Sequence, residues 1–568
     1  MKKIYLLPLT LCLSFFSCDF DQFPTESISY EDVFRDPLKV EGYITGLYSY
    51  LPNEGSYHSV AGAMLSSASD ESASTAPSDI TLLTDGSLTA RSNNPDANWG
   101  NSYQYLADIN LGLENLHLLT NERQNTIDQY IGEMKFLRAY IHFELVKRYG
   151  GIPLANKLFS LDDLNIERNS FEECINFILE DCNEAANLLP DPNNIAFGRA
   201  SNGAALALKS RVLLYAASPL YNSSGINNDN NPFICYGNYD PDRWELAATA
   251  AHEVISLNYY NIFQTRAITD NLNDSQVAQY GEENYRKLFT TITGNKELIF
   301  SRTASLNNII EKDNTPVGFT NGNGRTSPSQ QMVDAYGMID GKYIEDSSYD
   351  KEQPYLKRDP RFEASIFYNG KKWPGRAIET FQGGEDMKGT IYSKTGYYLS
   401  KFSEPTVVIS GSQTNTYHCF PMIRYAEILL NYAEAMNNAY GPDTDPKGYG
   451  LTARDALKQI RARVLRPQHT DVTGVTTKEQ MNKAIKHERQ VELAFEEHRY
   501  FDLKRWKEAQ NILSKPLMGV IIQKIQDSYT YDYSYVAETR QFQNRLYFYP
   551  ISQSEMSKNK ALVNNPGW

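Results

Sequence analysis

Beyond its first 18 residues, the sequence has no hydrophobic run long enough to cross a lipid bilayer. The apolar run near its start, Ile4 to Phe16, is itself shorter than the ~20 residues that a membrane-spanning helix needs. It follows Met-Lys-Lys and precedes Ser17 and Cys18, which is the pattern of a secretory signal that ends in a cysteine. The sequence therefore predicts an exported chain that is not inserted in the membrane.

Basic residues are in the minority. The chain of 568 residues has 55 Lys and Arg against 69 Asp and Glu, a formal net charge of -14 and a pI near 5.2. Proteins that bind a phosphate backbone usually present a clustered basic face. We therefore expect no nucleic-acid partner.

Cysteine is scarce, with six in the whole chain. Cys12 lies in the predicted signal and Cys18 at its end, which leaves four others: Cys174, Cys182, Cys235 and Cys419. The first two of these fall in one predicted helix about 12 Å apart, beyond the ~7 Å that a disulfide bridges. We predict no disulfide between them.

The common catalytic and cofactor motifs are also missing: a Gly-rich phosphate loop, a Gly-x-Ser-x-Gly elbow and a His-Glu-x-x-His metal motif. His487 and His498 share a predicted helix but are ~16 Å apart, too far to hold one metal ion. Neighbouring acids such as Asp70 and Glu71 suit a glycosidase, which needs two carboxylates, but such pairs are common in a chain this acidic. We predict no catalytic residue, no metal site and no cofactor.

Tyrosine, in contrast, is abundant, with 39 Tyr against 25 Phe and 5 Trp. Its ring suits a surface that is both apolar and wet, although half-buried tyrosines are also ordinary. The count favours a binding surface only weakly.

Hydrophobic periodicity predicts a mostly α-helical protein with few short strands. The first helix is expected to start at a capping box of Ser29 and Asp32 and to stop at Pro52. Further helices are expected at about 126–149, 170–189, 201–217, from a cap of Asp242 and Glu245 onward, 423–440, 452–465 and 479–510. Small residues at the contacts of successive helix pairs suggest a tetratricopeptide-like scaffold that forms a single domain over 29–568.

Two long loop-rich regions interrupt the helical pattern, at about 55–98 and 258–420. Ser, Ala, Asp, Thr and Asn dominate the first region, and Gly, Asn, Pro and Tyr the second. Short strands are expected in the second region, at 298–302 and 362–367. Loops of this kind often carry function.

The predicted helix 479–510 carries opposite charges at i,i+3 spacing, in the pairs Arg489–Glu492, Glu496–Arg499 and Arg499–Asp502. Because such pairs stabilise a helix, we interpret them as structural. A charged ligand site is the alternative. The residues of this segment that are expected to face the core are Phe495, Leu503 and Trp506.

Several stretches in fixed order carry a family resemblance. They are Phe136-Leu-Arg-Ala-Tyr, Phe143-Glu-Leu-Val-Lys-Arg-Tyr-Gly-Gly-Ile-Pro-Leu154, Leu208-Lys-Ser-Arg-Val-Leu-Leu-Tyr-Ala-Ala-Ser-Pro219, Arg358-Asp-Pro-Arg-Phe362, Arg424-Tyr-Ala-Glu-Ile-Leu-Leu-Asn-Tyr-Ala-Glu-Ala435, Glu488 to Trp506, and the terminal Asn-Pro-Gly-Trp. Together they resemble the SusD-like (RagB/SusD) family of outer-membrane nutrient-binding lipoproteins of the Bacteroidetes.

The resemblance implies a mostly α-helical fold with tetratricopeptide-like units and no catalysis. It also implies a cell-surface protein that captures glycan for a SusC-like TonB-dependent transporter. The nearest alternative is a binding protein for peptides or glycopeptides in the same kind of uptake system. An enzyme, and a scaffold that binds the transporter but no ligand, are more distant alternatives.

A small residue directly before Cys18 resembles the lipobox of bacterial lipoproteins, although Phe15 stands where Leu is usual. The resemblance implies a removable signal at 1–17, acylation of Cys18 and a lipidated tether at 18–28. The chain would then be anchored in the outer membrane and face the cell exterior. In the alternative, Cys18 is an early residue of an ordinary secreted protein.

Candidate ligand-binding residues come from both loop-rich regions. Sugar rings have apolar faces and hydroxyl rims, so a site for them pairs aromatic rings with polar donors and acceptors. The first region offers Asp70, Arg91 and Trp99, and the second offers Tyr336, Trp373, Tyr392 and Tyr397. For Trp99, an anchor in the core at the start of a helix is the alternative.

Overall fold

The computed structural model describes residues 29–51, 57–160, 165–303, 306–347 and 349–568. The predictions that lie outside these residues are the signal at 1–17, the lipidation at Cys18, the tether at 18–28 and the helix stop at Pro52. In the described part of the chain, no helix combines the length and the apolar character needed to cross a membrane.

The protein is mostly α-helical, as predicted. The helices of the described residues are α1 (Tyr30–Phe34), α2 (Pro37–Leu47), α3 (Trp99–Asn115), α4 (Gln124–Tyr149), α5 (Phe171–Leu188), α6 (Asn202–Ala217), α7 (Asp242–Ser256), α8 (Asp274–Lys287), α9 (Ile309–Asn314), α10 (Gln330–Ala335), α11 (Pro360–Ser365), α12 (Tyr425–Tyr440), α13 (Ala453–Arg461), α14 (Lys478–Glu492), α15 (Arg499–Arg505), α16 (Ala509–Leu513) and α17 (Gln553–Lys558).

Short strands pair two by two, all antiparallel. They are β1 (Ser72–Ser74) with β3 (Thr326–Pro328), β2 (Leu298–Thr303) with β8 (Cys419–Arg424), β4 (Ile366–Phe367) with β7 (Tyr398–Leu399), β5 (Lys372–Trp373) with β6 (Arg376–Ala377), β9 (Leu517–Met518) with β12 (Val536–Glu538), and β10 (Ile521–Ile525) with β11 (Ser528–Asp532).

A stack of neighbouring helices forms the scaffold. Helices α3 to α7 pack in chain order, and α12 then packs on α7 and carries α13 and α14. The buried alanines of α6, among them Ala204, Ala205 and Ala207, let the adjacent helices approach closely. This arrangement confirms the predicted helical scaffold, and its apolar side chains form one large core.

The capping box at Ser29 and Asp32 is present, but the helix it starts is short. The Asp32 N–H donates to the Ser29 hydroxyl, and the Ser29 N–H donates back to the Asp32 carboxylate. The chain breaks after α1 because Asp36 caps a second helix that has Pro37 at its first position. The predicted single helix to Leu51 is therefore wrong.

The predicted helix 479–510 is also interrupted. Helix α14 ends at Glu492, and the backbone then turns through Phe495 and Glu497, whose φ angles are 60° and 65°. Non-glycine residues seldom adopt this left-handed conformation, so tertiary contacts must hold it. Phe495, Leu503 and Trp506 are buried as predicted.

The charges of this segment are indeed structural, but their partners are distant. Arg489 pairs with Asp502 at 2.7 Å. Glu496 pairs with Arg424 at 2.7 Å, across 72 residues of sequence. In place of the predicted i,i+3 ladder, the Arg489–Asp502 pair joins α14 to α15, and the Glu496–Arg424 pair ties the segment to β8.

The second loop-rich region contains more helix than predicted. Helices α8 to α11 lie in it, and the strand predicted at 362–367 is mostly α11, followed by the short β4. The strand predicted at 298–302 is confirmed as β2. At the start of α7, the Asp240 carboxylate accepts the Asp242 N–H at 3.0 Å, so the predicted cap of Asp242 and Glu245 is wrong.

A buried network of ion pairs links the scaffold to this second region. Glu492 accepts hydrogen bonds from Arg424 at 2.8 Å and from Arg361 and Arg463 at 3.0 Å each. Glu297 accepts from Arg424 and Arg463 at 2.8 and 2.7 Å. Burial alone raises the pKa of Glu492, but the surrounding guanidinium groups outweigh it and lower that pKa to about 2. Glu492 is therefore ionised in the core at neutral pH.

The four cysteines outside the N-terminal segment are buried and free: Cys174, Cys182, Cys235 and Cys419. Cys174 and Cys182 lie in α5 and form no disulfide, as predicted.

Candidate functional site

A cleft of about 560 Å³ lies where the first loop-rich region meets the start of α3 and the chain around residues 550–555. Its size is typical of small-molecule sites, about 300–1,000 Å³. One indole, one guanidinium and several amide and hydroxyl groups line it, from Arg91, Asn94, Asn98, Trp99, Asn101, Gln553, Ser554 and Glu555. We call it the first cleft. It brings together two of the predicted ligand-binding residues, Arg91 and Trp99.

A tight turn positions Arg91 at the rim of the first cleft. The Ser92 N–H donates to the Thr89 carbonyl at 3.0 Å, and the Thr89 N–H donates to the Ser92 hydroxyl at 3.0 Å. The Gln553 N–H donates to the Ala90 carbonyl at 3.0 Å, which ties this turn to the opposite wall. The Arg91 side chain is exposed on a fixed backbone.

Asp96 anchors the same loop to α4 and to Tyr549. Its carboxylate accepts two hydrogen bonds from Arg148 of α4, at 2.8 and 3.0 Å, and one from the Tyr549 hydroxyl at 3.0 Å. Its N–H donates to the Asn94 side-chain oxygen at 3.0 Å. Because Asp96 and Arg148 are both buried, the loop is held by a charge-assisted pair that solvent does not screen.

Trp99 is the first residue of α3 and is half-buried. Its ring meets the Tyr149 ring edge-on, with centroids 5.0 Å apart, and lies 5.1 Å from the Tyr103 ring. These contacts are those of a core anchor at a helix start, while the rest of the indole lines the first cleft. Part of the Trp99 side chain is therefore a core anchor, and part of it is available to a ligand in the first cleft.

The amide side chains of the wall have unused hydrogen-bonding capacity. Asn98 precedes α3, but its side chain does not cap the helix. The Oδ1 atom of Asn98 and the Nδ2 atom of Asn94 are buried and have no hydrogen-bond partner among the described residues. An unpaired buried polar atom costs about 1–3 kcal/mol, so these two atoms make this wall of the first cleft locally less stable.

The C-terminal wall is fixed by Asn565. Its side-chain NH₂ donates to the carbonyls of Tyr149 and Tyr549, at 2.9 and 2.8 Å. Its side-chain oxygen accepts from Arg168 at 2.9 Å. Residues 550–555 are thereby held against the end of α4.

Asp70 does not lie in the first cleft. Its two carboxylate oxygens accept from the Nε and Nη2 atoms of Arg499, both at 2.8 Å. Burial raises the pKa of Asp70, but Arg499 more than compensates and lowers it below its ordinary value. This pair ties the start of α15 to the first loop-rich region, and a contact of Asp70 with a ligand stays a prediction.

Tyr336 and Tyr397 have no exposed surface. Both belong to the second hydrophobic core, and the Tyr397 hydroxyl donates to the Gln330 side-chain oxygen at 2.8 Å. Their predicted contact with a ligand is therefore wrong in this structure, because each ring packs against other core side chains.

Trp373 and Tyr392 lie apart from the first cleft. Trp373 is half-buried in β5 and meets the Phe367 ring edge-on at 4.7 Å. Tyr392 is 42% exposed in the loop before β7. Both keep accessible ring surface, and their roles stay predictions.

The sequence reasoning missed the amide and hydroxyl groups of the first cleft. Asn94, Asn98 and Asn101 stand beside Trp99 in an asparagine-rich stretch, which was a signal for polar recognition. Ser554 and Glu555 gave no such signal, because only the tertiary fold brings them there.

Comparison with known proteins agrees with this fold. A family model described as the SusD family matches residues 289–568, and a model described as "starch-binding associating with outer membrane" matches residues 21–214. SusD-like protein P38 of Formosa agariphila is 24% identical over 474 residues, which is 78% of each chain.

Solved structures show the same architecture. A SusD-like protein from Bacteroides fragilis is 26% identical with a TM-score of 0.75, over 96% of this chain and 100% of that one. A SusD-like carbohydrate binding protein from the same species is 24% identical with a TM-score of 0.72, over 94% and 100%. The two family models, the curated relative and the shared fold agree, and this chain belongs to the SusD-like family.

Proposed function

We propose that the protein binds oligosaccharide in the first cleft at the cell surface and delivers it to a SusC-like TonB-dependent transporter. The observation that carries the proposal is the juxtaposition of the Trp99 indole, the Arg91 guanidinium and the asparagine amides in one cleft of ligand size. An indole offers an apolar surface to a sugar ring, while the guanidinium and amides bond its hydroxyls. The family description of starch binding supports the same ligand class, as does the structural neighbour described as a carbohydrate binding protein.

The proposed role is binding without catalysis. Among the described residues that line the first cleft, Glu555 alone carries a carboxylate. Hydrolysis of a glycosidic bond normally uses two carboxyl groups, one on each side of the bond. The cleft is therefore better suited to holding a sugar than to cleaving one.

Replacing Arg91 by alanine should weaken glycan binding about tenfold. A hydrogen bond from a charged donor is worth about 1.5–3 kcal/mol, and 1.4 kcal/mol corresponds to a factor of ten in Kd. Isothermal titration of the purified protein with maltohexaose, cellohexaose, xylohexaose and mannohexaose measures this change. Arg123→Ala is the matched control, because that side chain is 89% exposed and lies outside the cleft.

Equal affinities of the Arg91→Ala and Arg123→Ala variants would contradict the assignment of Arg91. The same titration with a mixture of short peptides separates the two ligand classes. Binding of peptides and of no glycan would favour the alternative of a peptide- or glycopeptide-binding protein.

We also propose that Cys18 is acylated and anchors the chain in the outer membrane, with the folded part facing the exterior. The signal pattern and the family description of outer-membrane association support this proposal. A Cys18→Ala variant should then lose fatty-acid label and should not sediment with membranes. Cys12→Ala, in the predicted signal, is the control and should label as the wild type does. Label retained by Cys18→Ala would refute the anchor.

A further inference from the structure

A second concave surface lies on a different part of the molecule. Two adjoining depressions of about 640 and 380 Å³ share Asp334 and Glu345 in their walls. They lie between the end of α10, the first half of α14 and Tyr533, and none of their lining residues lines the first cleft. We call the pair the second cleft.

Three tyrosine rings form its apolar surface. Tyr343 meets the His487 ring edge-on at 4.5 Å, and Tyr349 has the Arg358 guanidinium 5.3 Å from its ring centre. Tyr533 lies nearly parallel to its neighbour Tyr531. Tyr343, Tyr349 and Tyr533 are all half-buried, so each ring is held on one side and accessible on another.

A carboxylate with spare capacity stands between the two depressions. One oxygen of Asp334 accepts a hydrogen bond from the Gln330 side chain at 2.7 Å. Its other oxygen accepts none from the described residues, and Glu345 beside it is exposed. A carboxylate that accepts hydrogen bonds beside aromatic rings is suited to the paired hydroxyls of a sugar.

The charges around the second cleft favour an uncharged ligand. The carboxylates Asp334 and Glu345 stand against the ammonium groups of Lys351 and Lys483, so no excess of either sign attracts a polyanion or a polycation. We propose that the second cleft binds a neutral oligosaccharide independently of the first. This inference rests on the proposed glycan-binding function and adds a second point of attachment for one polysaccharide chain.

Two separate sites on one protein have a measurable consequence. A short oligosaccharide fills each site on its own, whereas a long polysaccharide that reaches both is held by avidity. The protein should therefore bind two hexasaccharides per chain and retain polysaccharide more strongly than either site alone.

The test counts bound sugars and measures retention with the full chain. Native mass spectrometry gives the stoichiometry for maltohexaose, cellohexaose, xylohexaose and mannohexaose, and gels containing the matching polysaccharide give retention. Asp334→Asn keeps the shape of the side chain, and Tyr533→Ala removes one ring by a separate route. Tyr239→Ala is the control, because that ring is 63% exposed and lines neither cleft.

We expect two sugars per chain for the wild type and Tyr239→Ala, and one for Asp334→Asn and for Tyr533→Ala, with polysaccharide retention reduced about tenfold or more. One sugar per wild-type chain, unchanged in both variants, would overturn the second cleft and leave the first intact. Binding that is lost in Asp334→Asn but unchanged in Arg91→Ala would support the second cleft and overturn the first. No glycan bound by the wild type would overturn the proposed function and this inference with it.

Discussion

Replacing Glu492 by alanine should destabilise the fold by about 3–5 kcal/mol, because breaking a buried ion-pair network leaves uncompensated charge in the core. Three guanidinium groups converge on this carboxylate, from Arg361, Arg424 and Arg463. The loss of Glu492 should leave Arg463 with the least compensated charge, because its Nε and Nη1 atoms already have no hydrogen-bond partner among the described residues. Urea unfolding followed by circular dichroism measures the loss.

An exposed ion pair supplies the matched control for Glu492. Glu385 and Lys388 pair at 2.5 Å with side chains 53% and 56% exposed. Glu385→Ala should change the free energy of unfolding by less than about 1 kcal/mol, because water screens such a pair. A Glu492→Ala variant that is no less stable than Glu385→Ala would show that the network contributes little net stability.

Replacing Glu71 by glutamine should remove a large part of the pH dependence of stability. Glu71 is 1% exposed, and burial raises its pKa to about 8, above the ordinary 4.5. The folded protein therefore favours the neutral form of the Glu71 carboxyl. The stability that this preference contributes is complete below about pH 4.5 and is lost as the pH rises through 8. Across this window the wild type should lose up to about 1.4 kcal/mol per pH unit through this group.

In the wild type, the Phe495 N–H donates to Glu71 Oε1 at 3.1 Å. The Glu71→Gln variant keeps an oxygen that can accept this hydrogen bond, and its side chain is neutral at every pH. Its stability relative to the wild type should rise steadily from pH 5 to pH 8 in urea unfolding. Glu352→Gln, on the exposed surface, should show no such trend. Parallel curves for Glu71→Gln and the wild type would mean that Glu71 is ionised in the folded protein.

The helical scaffold could be predicted from the sequence because its signals are local. Apolar periodicity and a terminal glycine placed α4 to within two residues, and Gly150 ends it with a φ of 75°. The break after Glu492 could not be predicted, because distant groups hold it. The Phe495 N–H bonds to Glu71 across 424 residues, and Arg499 pairs with Asp70 across 429.

The candidate site could likewise be predicted only where its residues are neighbours in the sequence. Arg91 and Trp99 lie near each other in sequence, and the fold keeps them together. Tyr336 and Tyr397 were predicted to lie at the surface, because a phenol is equally suited to a wet surface and to a core. Of these two hydroxyls, only that of Tyr397 finds a hydrogen-bond partner among the described residues of the core, the Gln330 side chain. Composition cannot decide between these environments, whereas packing does.

The walls of the first cleft come from opposite ends of the folded chain. The bond between Tyr549 and Asp96 closes a span of 453 residues, and Asn565 fastens the far wall to Tyr149. A nascent or clipped polypeptide that lacks this C-terminal stretch has no complete pocket. Under the proposed function, a chain clipped before residue 550 would hold oligosaccharide less tightly than the intact protein, because its cleft would lack Gln553, Ser554 and Glu555.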